Sequence, residues 1–217
     1  NDSITQQNRN NITYTPRLKQ IVQRIVSHIP NCRLKCVCCT ENVTDITVGK
    51  HEDVCALIIS GSAMFVHSID SPRGKHTAWN AALLHKWPTA SVLGICFGMQ
   101  VIGILYGTHM IPVPEGVHRQ GIQMIVGTPN YNGMTSKFID THKSFVAEVS
   151  HLHRLAAVPF GFRQLARCLD GTIMAIQHNG PRLILGVQYH PEAKGSQPAG
   201  RRLLHKFVRA SLSRKKT

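Results

Sequence analysis

The motif Gly94-Ile95-Cys96-Phe97-Gly98-Met99-Gln100 is the strongest indication of the fold in this sequence. Before it, Ser91 to Ile95 is a short apolar run typical of a buried strand. After it, Gln100 to Tyr106 continues as a helix that stops at Gly107, a natural left-handed cap. Glycines on both sides of Cys96 allow a sharp turn and a close approach of helix to strand. The pattern predicts a thiol exposed at the carboxyl end of a sheet strand.

Strand and helix patterns alternate in the first half of the chain, and short strand patterns follow one another in the second half. Apolar residues at steps of three and four predict helices, and short continuous apolar runs predict buried strands. The predicted helices are Arg17 to Ile29, Thr77 to Lys86, Gln100 to Tyr106 and a final basic helix; the predicted strands are Arg33 to Cys39, Val54 to Ser60, Ser91 to Ile95, Gln123 to Val126, Lys137 to Asp140, Leu165 to Cys168, Ile173 to Gln177 and Leu183 to Gln188. This order predicts an α/β fold, a three-layer sandwich with a mostly parallel mixed sheet.

The length and the hydrophobic content predict one globular domain. The chain has 217 residues, of which 42% are hydrophobic, enough for one sizeable core. No apolar run reaches the ~18 residues that a membrane helix needs. We divide the chain into a polar N-terminal segment at 1–16, the domain at 17–209 and a basic C-terminal tail at 210–217. The polar start is unlike a secretory signal, and since it begins at Asn1 we expect further sequence upstream.

The chain is strongly basic. It has 25 Lys and Arg against 11 Asp and Glu, a formal net charge of +14. Much of the excess lies near the C-terminal end, where Leu203, Leu204, Phe207 and Val208 recur at helical spacing. We predict a final amphipathic helix with its apolar face inward and its basic face outward. Such a face favours an acidic partner or surface, and a solvated basic face without a ligand is the alternative interpretation.

The cysteines indicate a reducing compartment. Their number, seven, is odd, and no secretory signal accompanies them. Four of them cluster at Cys32, Cys36, Cys38 and Cys39, but adjacent residues of a strand point to opposite faces and do not converge on one ion. We therefore predict no metal site and no cofactor, and an intracellular location that is cytoplasmic or organellar, including mitochondrial.

A second motif, Gly186-Val187-Gln188-Tyr189-His190-Pro191-Glu192, supplies a base and an acid. His190 and Glu192 are two positions apart at a strand end, so both side chains fall on one side and the carboxylate can fix the imidazole tautomer. The imidazole can then accept the proton of the Cys96 thiol, which the positive end of the following helix also activates. The two motifs together predict a catalytic triad.

An oxyanion hole for this triad needs two backbone donors. The N–H of Phe97, directly after the nucleophile, is one candidate. The turn Gly61-Ser62-Ala63, at the end of a neighbouring predicted strand, offers the second.

The two motifs and the turn Ser60-Gly61-Ser62 resemble the class I glutamine amidotransferase family, over a region from Arg17 to Val208. The resemblance implies the flavodoxin-like fold of that family. Family members open with an apolar central strand, and nothing before Arg17 has that pattern, so we expect the first strand upstream of the chain. Thr141-His142 resembles the family segment whose backbone helps to hold glutamine.

The resemblance also implies a mechanism. Cys96 attacks the side-chain amide of glutamine, His190 protonates the departing ammonia, and Glu192 orients His190. Water activated by His190 then hydrolyses the thioester to glutamate, and the ammonia passes to a synthase partner or domain. The family pattern further implies that Gln100 helps to bind glutamine and that Ser62 and Phe97 donate the oxyanion N–H groups.

Two other functions stay open at this point. The Gly-Ser pair at Gly61 and Ser62 is also found in relatives that cleave γ-glutamyl peptides. The basic charge fits a non-catalytic subunit of a larger assembly, such as an organellar ribonucleoprotein, with RNA or another acidic surface bound by the basic C-terminal helix.

Overall fold

The elements of the fold follow the apolar pattern of the chain. The computed structural model describes residues 16–38, 41–47, 53–71, 74–114, 120–129 and 136–214. The α-helices in these residues are α1 (16–26), α2 (Lys75–Lys86), α3 (Phe97–Leu105) and α4 (Ala199–Ser213). The strands are β1 (Ala56–Ile59), β2 (Ser91–Ile95), β3 (Met110–Pro112), β4 (Gln120–Gly127), β5 (Ser144–Ser150), β6 (His153–Leu155), β7 (Phe162–Cys168), β8 (Ile173–His178) and β9 (Ile184–Val187). Short 3₁₀ helices lie at Val43–Asp45 and Lys194–Ser196.

Seven of these strands form one mixed sheet in the order β1-β2-β9-β8-β7-β4-β5, and β3 pairs with β6 separately. β1, β2 and β9 are parallel to one another, and the remaining pairings are antiparallel. Only β8 and β4 run opposite to the parallel strands, so five of the seven strands run in the same direction. The fully buried, continuously apolar β2 and β9 form the centre of the parallel part, as expected for strands covered on both faces.

Helices cover the two faces of this sheet. Leu93 and Ile95 of β2 belong to a core cluster that also holds the apolar residues of α1 and α4. Val92 of β2 belongs to a second cluster with Met99 and Ile102 of α3. Since successive side chains of a strand point to opposite faces, the sheet lies between these two helical layers, which confirms the predicted three-layer α/β sandwich.

The predicted strand at Lys137 to Asp140 is wrong, because local side-chain hydrogen bonds hold this segment in bends. The hydroxyl of Ser136 accepts a hydrogen bond from the backbone N–H of Phe138, and Asp140 accepts one from that of His142. Such bonds compete with a strand ladder. The strand of this region is β5, whose buried side chains alternate with more exposed ones, although its sequence has Phe145, Val146 and Ala147 in succession.

The predicted strand at Arg33 to Cys39 is also wrong for the described residues, because those up to Cys38 pair with no described strand. A cavity of about 1780 Å³ separates the segment at 29–37 from the outer edge of β1. No described strand lies between the two, so neither gains a ladder on this side.

The C-terminal helix extends further than predicted. α4 continues to Ser213, so Ala210 to Ser213, assigned to the basic tail, belong to the helix. Its apolar residues are buried in the core, as the amphipathic pattern predicts. Among the described residues, no helix is both long and apolar enough to cross a membrane.

Candidate active site

Three adjacent parallel strands end at the same edge of the sheet and bring the two motifs together. Ile59 at the end of β1 pairs with Gly94, and Ile95 at the end of β2 pairs with Val187 of β9. The backbone N–H of Cys96 donates to the carbonyl of Val187 at 2.7 Å. Because the carboxyl ends of parallel strands share one edge, residues about a hundred positions apart become neighbours.

The Cys96 turn has the strained geometry that the sequence predicts. Its φ of 50° and ψ of −104° lie in a region that non-glycine residues rarely adopt. A Cβ on Gly94 would lie 2.5 Å from the backbone of Gly98, and a Cβ on Gly98 would lie 2.2 Å from the carbonyl oxygen of Ile59. The glycines therefore let α3 pack directly against β1 and β2. In contrast to the prediction, the thiol is buried, with Cys96 only 4% exposed.

His190 and Glu192 form a buried pair beside this thiol. The Nδ1 of His190 lies 3.0 Å from Oε1 of Glu192, and each side chain is 1% exposed. Gly61 closes the site from the third strand, because a Cβ there would lie 2.8 Å from Cε1 of His190 and 3.6 Å from Cβ of Cys96. The structure thus brings Cys96, His190, Glu192 and Gly61 together.

The environment of His190 favours a protonated imidazole. Burial by itself would lower the pKa of His190, but the charge of Cys96 and a hydrogen bond with it, followed by the hydrogen bond and charge of Glu192, raise that pKa to about 10. The second carboxylate oxygen of Glu192, Oε2, is buried and has no hydrogen-bond partner among the described residues. The negative charge of Glu192 is therefore balanced chiefly by the imidazolium.

We expect the charge balance between His190 and Glu192 to be measurable through the pKa of His190. In a pH titration followed by histidine side-chain NMR resonances, His190 should lose its proton well above the ordinary value of about 6.5. Glu192→Gln should move that titration to lower pH, because it removes a charge and a hydrogen-bond acceptor that stabilise the imidazolium. Cys96→Ala should also lower it. A His190 titration near 6.5 in the unsubstituted protein would contradict the assigned ion pair.

The candidate oxyanion residues lie on both sides of the nucleophile. Phe97 is the first residue of α3, so its N–H is one of the helical amides without an intrahelical acceptor. Ser62 follows Gly61 in the turn after β1, and its hydroxyl accepts a hydrogen bond from the backbone N–H of Met64. That bond fixes the turn that carries the Ser62 amide.

Gln100 anchors a segment that the sequence analysis missed. Its side-chain amide donates to the carbonyl of His153 at 2.9 Å and to Oε1 of Gln188 at 3.2 Å. The sulfur of Cys96 lies 3.6 Å from the carbonyl oxygen of Ser150 and accepts a hydrogen bond from the Gln188 amide at the same distance. The connection between β5 and β6, residues 150–153, therefore forms one wall of the site.

His151, within this wall, lies close to the buried pair of His190 and Glu192. Burial lowers the pKa of His151, and the charge of His190 lowers it further, while a hydrogen bond to the carbonyl of His153 opposes the shift. A neutral His151 beside a charged His190 avoids repulsion between two cations. The apolar run from Phe145 to Ala147 was the sequence signal for β5, and this wall begins where that strand ends.

Thr141 and His142 are the predicted residues that the structure does not bring to the site. They precede β5, whereas the nucleophile contacts Ser150 at the far end of that strand. At ~3.3 Å per residue, β5 separates the two positions by roughly 20 Å. The role in holding glutamine that the resemblance implies for Thr141 and His142 stays a prediction, which this geometry does not support.

Comparison with known proteins places the geometry in a family. The model of the glutamine amidotransferase class-I family matches residues 17–210, close to the domain predicted at 17–209. The chain is 28% identical over 153 residues to a glutamine-hydrolysing GMP synthase from a Nitratiruptor species, an alignment that covers 70% of the chain and 28% of the relative. It is 32% identical over 133 residues to the chloroplastic anthranilate synthase beta subunit 1 of Oryza sativa subsp. japonica, covering 58% of the chain and 44% of the relative.

The fold agrees with this match. A crystal structure of a proposed GMP synthase subunit from Thermoplasma acidophilum superposes with a TM-score of 0.68, at 18% identity, over 91% of this chain and 90% of that one. The chain spans less than half the length of the two curated relatives described above. With the family model matched over nearly the whole chain and the same fold in a solved structure, this protein belongs to the class I glutamine amidotransferase family.

Proposed function

We propose that the protein hydrolyses the side-chain amide of glutamine through a thioester on Cys96 and delivers the ammonia to a synthase partner. One observation carries the proposal: a cysteine on a strained strand-to-helix turn lies beside a buried imidazole, which a carboxylate 3.0 Å away orients. This is the arrangement that an activated thiol nucleophile needs.

The first half of the reaction forms the thioester. With the proton held on His190, the sulfur of Cys96 attacks the carbon of the side-chain amide, and the carbonyl oxygen becomes an oxyanion. The amides of Phe97 and Ser62 are the proposed donors to that oxyanion. His190 then gives its proton to the amide nitrogen, the carbon–nitrogen bond breaks, and ammonia leaves.

The second half regenerates the enzyme. The neutral imidazole of His190 takes a proton from water, and the resulting hydroxide attacks the thioester carbon. The carbon–sulfur bond breaks, and glutamate and the Cys96 thiolate form. Glu192 stays ionised throughout and stabilises the imidazolium in both steps.

The site walls suggest how glutamine is held. The wall at 150–153 presents the carbonyl of Ser150 to the nucleophile, and Gln100 ties that wall to α3 through its bond to His153. We propose that this wall, Gln100 and the turn at Gly61 hold the substrate, with Thr141 and His142 left out of the site.

The partner and the location are part of the same proposal. The GMP synthases matched here are glutamine-hydrolysing by name, and the chain matches under a third of the length of the Nitratiruptor protein. We propose that a separate domain or subunit of the synthase type consumes the ammonia. The described cysteines are free of disulfides, which supports an intracellular location, cytoplasmic or organellar.

The direct test is covalent labelling. Incubation with an electrophilic glutamine analogue, followed by peptide mass spectrometry, is expected to give one adduct, at Cys96, and glutamine should be hydrolysed to glutamate. Cys96→Ser should abolish both. Cys168→Ser is the matched control and should change neither, because burial and the charge of Asp170 raise the pKa of Cys168 to about 11, which keeps that thiol unreactive.

The outcomes separate the alternatives. Glutamate release from γ-glutamyl peptides in preference to glutamine would identify a peptide hydrolase instead. No adduct and no glutamate, even with an ammonia-accepting synthase present, would refute the proposal and leave a non-catalytic subunit.

A further inference from the structure

Helices α1 and α4 contain only basic charges. Their sequences hold seven Arg and Lys residues and no Asp or Glu. Six of the seven side chains are exposed and are called the basic face below: Lys19, Arg24, Arg201, Arg202, Lys206 and Arg209. Among the described residues, none of the six forms an ion pair with a carboxylate.

The two helices belong to one surface of the protein. Leu18, Val22 and Val26 of α1 pack into the same core cluster as Leu204 and Phe207 of α4. Both helices therefore cover the same face of the sheet and point their polar sides away from it. The six charges form one layer on the outside of the molecule.

These charges do not stabilise the fold. Arg201 and Arg202 stand in the first turn of α4, where the positive end of the helix dipole disfavours cations. Arg202 and Lys206 are four residues apart, a spacing at which like charges repel each other on a helix surface. Because these positions of the basic residues are unfavourable for α4 itself, we attribute them to an anionic partner.

The chemistry of the face selects among anionic partners. A helix that lies on a membrane needs an apolar side free for the lipid, but the apolar side of α4 is buried and no large exposed hydrophobic residue lies on either helix. A protein interface needs an aromatic or apolar centre, which the basic face also lacks. Arginine, four of the six residues, pairs bidentately with phosphate.

From this geometry we infer that the basic face of α1 and α4 binds the phosphate backbone of a nucleic acid, without reading its bases. The face offers no exposed aromatic ring on which a base would stack, so affinity comes from counterion release and depends steeply on salt. This surface is independent of the proposed glutaminase activity.

The test is fluorescence anisotropy of a labelled oligouridylate strand, titrated with the folded chain at several salt concentrations. We compare R201Q/R202Q/K206Q/R209Q with K75Q/K137Q/K143Q/R167Q, which neutralises four exposed basic residues outside α1 and α4. The two variants carry the same net charge, and glutamine keeps the helix propensity of arginine. Circular dichroism and thermal unfolding verify that both remain folded.

We expect the α4 variant to bind at least about tenfold more weakly at ~0.1 M salt, and the slope of log Kd against log salt to fall by about 2–3, since each phosphate contact on a single strand contributes ~0.7. The control variant should stay within about threefold. Equal weakening by both variants, or no binding by the unsubstituted chain, would overturn the inference. Equal displacement by polyglutamate, or tighter binding to phosphatidylserine vesicles, would overturn it in favour of an acidic protein or a membrane.

Discussion

His190→Gln is expected to lower kcat/KM for glutamine by about 10²–10⁴-fold, the usual contribution of a positioned acid and base. Glutamine can accept a hydrogen bond but cannot take the proton of Cys96 or return it to the departing nitrogen. Because kcat should fall while glutamine still binds, KM should change little. The measurement is glutamate release under saturating and limiting glutamine, with the synthase partner present.

Two controls isolate the chemical effect. His85→Gln, on the exposed side of α2, should leave the rate unchanged. His190→Gln also leaves the buried Glu192 without its cation, which by itself is destabilising. H190Q/E192Q removes that unpaired charge, and it should regain stability without regaining activity. A His190→Gln variant with near-normal turnover would exclude His190 as the proton carrier.

Gly98→Ala is expected to disrupt the fold around the nucleophile and to cost about 3 kcal/mol of stability or more. The added Cβ would lie 2.2 Å from the carbonyl oxygen of Ile59, a backbone atom of β1 that cannot move by a change of rotamer. To remove this steric clash, α3 has to shift away from the sheet, and that shift would change the turn at Cys96. Urea unfolding measures the stability loss, and labelling of Cys96 should be lost in parallel.

Gly103→Ala in the same helix is the matched control. Its Cβ would meet Cδ2 of Leu155 at 2.3 Å, but that atom is the end of a flexible side chain. Alanine also improves helix propensity by about 1 kcal/mol, which offsets part of the contact. We expect a change of stability within about 1 kcal/mol and normal labelling of Cys96. Equal losses of stability and labelling in the two variants would contradict a specific role for Gly98. They would show that α3 tolerates added volume at neither position.

Local patterns predicted the centre of the fold well. β2 has the predicted bounds, Ser91 to Ile95, because a buried parallel strand is a continuous apolar run with clear ends. The turn at Cys96 followed from its flanking glycines. Errors arose where pairing partners decide the state. The segment at 33–38 pairs with no described strand, and β5 was missed because the exposed Val146 interrupts an alternating pattern.

The same division holds for the candidate site. Cys96, His190 and Glu192 were found because each belongs to a short motif with its own local signature. Ser150 and His151 have no such signature and reach the nucleophile only through the connection between β5 and β6, and the contact of Gln188 with Cys96 depends on the sheet register. Thr141 and His142 lie away from the nucleophile, which the sequence could not show because a local segment does not reveal which end of a strand faces the site.

Local sequence was enough to predict the proposed reacting groups and the strand-to-turn-to-helix geometry that holds the thiol, because both depend on residues within a few positions of each other. The burial of the thiol, its enclosure by Gly61 and the wall at 150–153, and the common surface of α1 and α4 became visible only in the folded chain. Those features depend on contacts between segments far apart in the chain, which form when β1, β2 and β9 align at one sheet edge and the helices pack against the faces.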